Sequence, residues 1–129
     1  MNMLPTLHLS LKKEWYNLIE SGEKTEDYRE IKPYWLKRLY NIVDVDFRNY
    51  EAIDNESAEW YCANVTALKK DVYFGGFQKK NYKQVKFTYG YTKKSMTFEL
   101  EDIKIGRGNK KWGAMDDSVF IIKLGKRIK

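Results

Sequence analysis

The stretch from Gly22 to Glu30, Gly-Glu-Lys-Thr-Glu-Asp-Tyr-Arg-Glu, places Lys24, Asp27 and Arg29 within a few residues of one another. In an extended chain, positions two apart share a face, so Thr25, Asp27 and Arg29 lie together and Glu26, Tyr28 and Glu30 lie opposite. If the first face lines a cavity, Arg29 offers a planar fork for phosphate or a carbonyl. Lys24 supplies a point charge, and Asp27 can accept a proton or hold a partner. Read from the residues alone, the same segment also suits an ordinary charged surface. Convergence on one pocket is what separates the two.

A second grouping is Gly106-Arg107-Gly108-Asn109-Lys110-Lys111-Trp112. Read as a flexible basic loop, it combines cations with an aromatic face, as single-stranded nucleic acid requires. Its spacing is not that of a phosphate-binding P-loop. A surface turn with Trp112 packed inward is the alternative. Tyr89, Tyr91, Lys93 and Lys94 form a smaller patch of the same kind.

The chain has 129 residues and a net charge of +6. That charge is unevenly spread: residues 81–129 hold 12 basic and 5 acidic side chains, while the first 80 sum to −1. A basic segment attracts phosphates at long range. The length suits a single domain over residues 1–129. One cysteine, Cys62, closes no internal disulfide, and with the single His8 it makes no zinc site. No metal or cofactor is expected. No apolar run reaches the ~20 residues that span a bilayer, so a cytoplasmic protein without a membrane partner is expected. His8 is read as a hydrogen-bonded structural histidine and Cys62 as a small buried apolar residue.

The elements that must position these groups follow from periodicity. Leu7-His8-Leu9-Ser10-Leu11 alternates as a half-buried strand. Lys12 to Ser21 reads as an amphipathic helix, with Ser10 as its N-cap and Gly22 as its C-terminal stop. Lys24 to Ile31 is a second strand, and Pro33 opens a short helix through Tyr40. In the middle, Val43 to Phe47 alternates like a strand, Ser57 to Lys70 fits a helix or a strand, and Gly75-Gly76 marks a turn. Lys83 to Tyr89 and Ser95 to Ile105 form a hairpin, and Val119 to Leu124 is apolar enough for a central strand. The order favours an α+β domain with a mainly antiparallel, barrel-like sheet.

The segment around Gly22, Lys24 and Arg29 resembles the G-x-K-x-x-E-x-R signature of ASCH domains, with Asp27 in place of the usual glutamate. The lead-in Leu7 to Trp15, the run Glu30 to Trp35, and the end with Gly90-Tyr91, Trp112-Gly113 and Val119 to Gly125 are similar to bacterial and phage members. The likeness covers roughly residues 4–40 and 83–126, leaving about 41–81 unmatched. It implies a PUA-like β-barrel with flanking helices and a cleft lined by the signature. It also implies binding of RNA or a nucleotide by Lys24, Asp27 and Arg29, aided by Arg107, Lys110, Lys111 and Trp112. A subset of the family hydrolyses N4-acetylcytidine, and nuclease activity is known in others. In that enzyme reading Lys24 and Asp27 are the catalytic pair. The threonine nucleophile of the amidohydrolase subset falls on Asp27, a mismatch that Thr25 does not repair. A protein-interaction domain using exposed aromatics is the third class.

Overall fold

A computed structural model describes residues 5–43, 50–115 and 117–129. Strand β1 (Thr6–Leu11) buries Leu7, Leu9 and Leu11 and exposes His8 and Ser10, the alternation its sequence carries. Helix α1 (Lys13–Glu20) follows at once and buries Tyr16 and Ile19. Ser10 is not its cap: it lies within β1, and Lys12 occupies the N-cap position without a side-chain capping bond. The helix stops at Ser21, and Gly22 takes a left-handed φ of 86°. Strand β2 (Glu26–Arg29) is shorter than its periodicity suggested and leads into α2 (Pro33–Leu39), which begins at Pro33.

The polypeptide then enters β3 (Tyr40–Val43). Residues 44–49, where the strand expected over Val43 to Phe47 mostly falls, lie outside the described residues. The next elements are β4 (Tyr50–Glu51), α3 (Asn55–Ala63), α4 (Val65–Tyr73) and β5 (Phe77–Lys79). Ser57 to Lys70 is therefore helical, but in two pieces broken at Asn64. Asp54 caps α3, accepting from the Ser57 N–H at 2.8 Å and the Ser57 hydroxyl at 2.9 Å. Strands β4, β3 and β5 make a small antiparallel sheet beside α2.

The expected hairpin is present as β6 (Gln84–Tyr89) and β7 (Ser95–Gly106), and β8 (Val119–Arg127) closes the chain. These strands build a five-stranded sheet in the order β1-β6-β7-β8-β2. Its β6–β7, β7–β8 and β8–β2 junctions are antiparallel, while β1 and β6 pair in parallel from Thr6↔Gln84 to Leu11↔Tyr89. Val119, Phe120, Ile121 and Ile122 are all buried, as a strand covered on both faces requires. The result is an α+β protein whose mixed sheet curls into a half-barrel.

Curling brings the two edge strands, β1 and β2, towards each other, and side chains join them. Arg29 of β2 donates from Nη2 to the Ser10 carbonyl of β1 at 3.1 Å. Two residues earlier on the same edge, the His8 carbonyl accepts from Arg38 of α2. The His8 side chain itself is exposed, so its expected structural role belongs to its main chain. Trp35 lies under both guanidinium groups, 4.8 Å from Arg29 and 5.5 Å from Arg38. Two arginines thus satisfy carbonyls that a bare sheet edge would leave open to another chain.

Arg29→Ala is expected to lower stability by about 3 kcal/mol, because it strands the buried Asp27 carboxylate as well as opening the edge. Urea unfolding of the variant checks this, and a loss under about 0.5 kcal/mol, the size of an ordinary surface change, contradicts it.

Candidate functional site

A cavity of about 490 Å³ opens where the half-barrel is incomplete. Its volume lies in the range of small-molecule sites, ~300–1,000 Å³. Several segments meet there: the end of β1 with Ser10 and Leu11, the start of α1 with Lys12 and Trp15, and Lys24, Asp27, Tyr28 and Arg29 in and just before β2. The β6–β7 turn adds Gly90 and Tyr91, and the connection from β7 to β8 adds Trp112 and Gly113. No residue between 50 and 79 lines this cavity, so the described part of the middle segment does not cover it.

Lys24 and Asp27 are each 3% exposed, an unusual depth for two charged side chains. Asp27 is paired: its Oδ2 accepts from Arg29 Nε at 2.8 Å. Lys24 is not. Its ammonium lies 4.3 Å from the centre of the Trp15 ring and 5.6 Å from that of Tyr28. Among the described residues, no carboxylate forms an ion pair with it. Burial holds Lys24 below the ordinary lysine value of 10.5, with Asp27 and Glu14 pulling it back up and Arg29 pushing it further down.

The aromatic walls are fixed by contacts that a flexible loop would not make. Tyr28 donates its hydroxyl proton to Glu26 at 2.8 Å and accepts from the Asn109 main-chain N–H at 2.9 Å. Burial is the main reason its hydroxyl is pushed up to about 12. A Cβ on Gly108 would come within 2.6 Å of the Tyr28 ring, and one on Gly113, at φ 93°, within 2.9 Å of Trp15. These glycines permit close approach rather than mobility. The expected flexible basic loop is therefore a docked one, with a short 3₁₀ turn at Lys110–Trp112 and Asn109 Oδ1 accepting from the Lys111 N–H at 2.9 Å.

Of the residues singled out in the sequence, Lys24, Asp27, Arg29 and Trp112 converge on the cavity. Arg107, Lys110 and Lys111 do not line it; they are exposed on the adjoining loop. Tyr91, fully exposed, stands on its wall, whereas Tyr89 packs edge-on against Tyr16 at 5.4 Å and belongs with the core. Sequence reasoning missed Trp15 and Tyr28 as walls. Trp15 carries the spacing of a core residue, and the alternation of an extended strand puts Tyr28 on the face opposite Asp27. The signal that could have found them is the proximity of an aromatic-bearing helix start to the signature strand.

Cys62 is half-buried in α3, and burial pushes its thiol up to about 11. No group of three or more His, Cys, Asp or Glu side chains suited to a metal occurs among the described residues. No helix among them is long and apolar enough to cross a membrane.

Lys24→Met is expected to stabilise the protein by about 1 kcal/mol near neutral pH, since it removes a buried charge while keeping an adaptable side chain against Trp15. The folded-state value of Lys24 is lowered, so the unfolded chain binds the extra proton between that value and 10.5, and wild-type stability rises with pH across this window. The advantage of the variant should therefore shrink as pH approaches 10.5 in thermal or urea unfolding. A variant less stable than wild type at neutral pH contradicts the strain assigned to Lys24.

No protein-family model matches this chain, and no curated protein or solved structure does either.

Proposed function

We propose that this protein is an RNA- or nucleotide-binding module of ASCH type, with the cavity as its binding site and a PUA-like barrel as its scaffold. The observation that carries the proposal is the buried, unpaired Lys24 ammonium facing a cavity walled by Trp15, Tyr28 and Trp112. Flat aromatic walls suit a base, because every base has a π-face. The cavity lining is positive, since Asp27 and Arg29 neutralise each other and Lys24 and Lys12 remain. Such a site favours a ligand bringing a carbonyl or phosphate oxygen to Lys24.

Arg29 serves the site by holding Asp27 and the Ser10 carbonyl, and its donors beyond those two are left to contact a base edge or a phosphate. The exposed Arg107 and Lys111, with the rest of the basic last third, attract the phosphate chain towards the opening. A cytoplasmic location goes with this reading, as does solution behaviour without a membrane partner.

A second reading, an amide hydrolase acting on a modified nucleoside, has one observation in its favour. The lowered Lys24 value increases the fraction of free amine near neutral pH, beside a carboxylate at Asp27. A neutral Lys24 could then take a proton from the water that attacks the amide. Incubating wild type and Lys24→Ala with N4-acetylcytidine separates the two: turnover by wild type alone supports hydrolysis, and no turnover by either removes it for that substrate.

Binding to single-stranded RNA is expected to quench tryptophan fluorescence, because Trp15 and Trp112 both line the cavity. Raising salt from about 50 to 200 mM should weaken binding roughly tenfold or more, as expected when a few phosphates are contacted. Lys24→Met should cost a further tenfold or more, equivalent to at least ~1.4 kcal/mol. Absence of binding at low salt, or binding indifferent to Lys24, overturns the proposal.

A further inference from the structure

Helix α1 starts without a cap. Lys12 holds the N-cap position and its side chain makes no capping bond, where Ser, Thr, Asp or Asn would accept from the first turn. The first intrahelical bond runs from the Tyr16 N–H to the Lys12 carbonyl at 3.0 Å. The N–H groups of Lys13, Glu14 and Trp15 therefore have no intrahelical acceptor, and no backbone carbonyl of the described residues takes them. This open helix end borders the cavity, whose wall includes Lys12 and Trp15.

Lys24 points independently to the same corner. It is 97% buried, since only 3% is exposed, and its ammonium sits over Trp15, the third residue of α1. A desolvated cation thus lies over a first-turn side chain of the uncapped helix, with no carboxylate ion-paired to it among the described residues, although Asp27 and Glu14 act on it at longer range. The cation and the positive helix end disfavour each other, and each favours a negative group placed between them. Lys12 on the cavity wall and Lys13, the first residue of the helix, add positive charge. Glu14, the only acidic residue in the first turn, opposes them. The balance remains positive.

We propose that this corner is a phosphate subsite: the ligand carries a terminal phosphate that accepts from the free first-turn N–H groups of α1 and from the Lys24 ammonium, while its base lies between the aromatic walls. The inference rests on the nucleotide-binding reading above and adds that the phosphate is recognised in its own right. Helix N-termini suit this task because their N–H groups and dipole both favour an anion. Lys24 adds a charge-assisted donor from the other side. The chemistry is that of a phosphomonoester, which a free nucleotide and the phosphorylated end of an RNA strand both possess.

Calorimetric titration of the full chain with the common ribonucleosides, their 5′- and 3′-monophosphates, and a trinucleotide with and without a 5′-phosphate tests the proposal. At least one monophosphate should bind roughly 30-fold or more tightly than its nucleoside, and added salt should narrow the gap. Lys12→Asp places a capping carboxylate on the same N–H groups, which should preserve the fold and abolish the gap. Lys12→Ala removes the side-chain charge but leaves the N–H groups free, so most of the gap should remain. A monophosphate that matches the trinucleotide identifies a free nucleotide as the source, and a tighter phosphorylated trinucleotide identifies an RNA end; both support the subsite. Equal affinity for nucleoside and monophosphate overturns the subsite while leaving base binding intact. A gap that survives Lys12→Asp overturns its placement on α1. If no nucleoside, nucleotide or trinucleotide binds, the nucleotide-binding reading itself falls.

Discussion

The Arg29 guanidinium is the contact on which the rest of the site depends. One of its edges takes the Asp27 carboxylate, another reaches the Ser10 carbonyl on the opposite edge of the sheet, and its face lies on Trp35. Because Asp27 is engaged by Arg29, it does not pair with Lys24, whose buried charge is left for something else. A lysine in place of Arg29 could not make this set of contacts, since an ammonium is a point charge without a fork or a planar face. The geometry of the sheet opening and the electrostatics of the cavity are therefore set by one side chain.

The opening itself follows from topology. A sheet closed into a barrel has no free edges, but here β1 and β2 remain edges, and the cavity occupies the gap between them. Arg29 and Arg38 satisfy successive outward carbonyls of β1, and Trp35 holds both guanidinium groups in place. From the other side, Gly108 and Gly113 let the β7–β8 connection pack directly on Tyr28 and Trp15. The cavity thus has walls drawn from distant parts of the chain, each fixed by packing or hydrogen bonds. Preorganisation of this kind reduces the ordering cost of binding.

Much of this was legible in the sequence, and where it was not the reason is physical. The alternation in β1, the helical spacing of Trp15, Leu18 and Ile19, Pro33 at the start of α2, the β6–β7 hairpin and the apolar β8 are local signals, and each element is present. In α3 and α4 the inward faces are short, Ala58, Tyr61 and Cys62 in one and Leu68 and Val72 in the other, and exposed Trp60 and Tyr73 blur the apolar stripe that announces a helix. The parallel pairing of β1 with β6 joins Thr6 to Gln84, a long-range choice that no local period encodes. Within the site, Lys24, Asp27 and Arg29 were legible as one dense charged segment, and they line one cavity. The basic loop was legible as charge but not as conformation: its glycines read as flexibility, whereas Gly108 and Gly113 are places where another side chain approaches too closely for a Cβ.

The site turns on Lys24, a buried cation without an ion-pair partner among the described residues. Its titration can be followed directly by heteronuclear NMR of the lysine side-chain resonances, with Lys24→Met providing the assignment, in the free protein and with a saturating nucleotide. The expected result is a Lys24 value below the ordinary 10.5 in the free protein, rising when the nucleotide is bound. A Lys24 that titrates at the ordinary value in the free protein, and does not move when ligand is added, contradicts it.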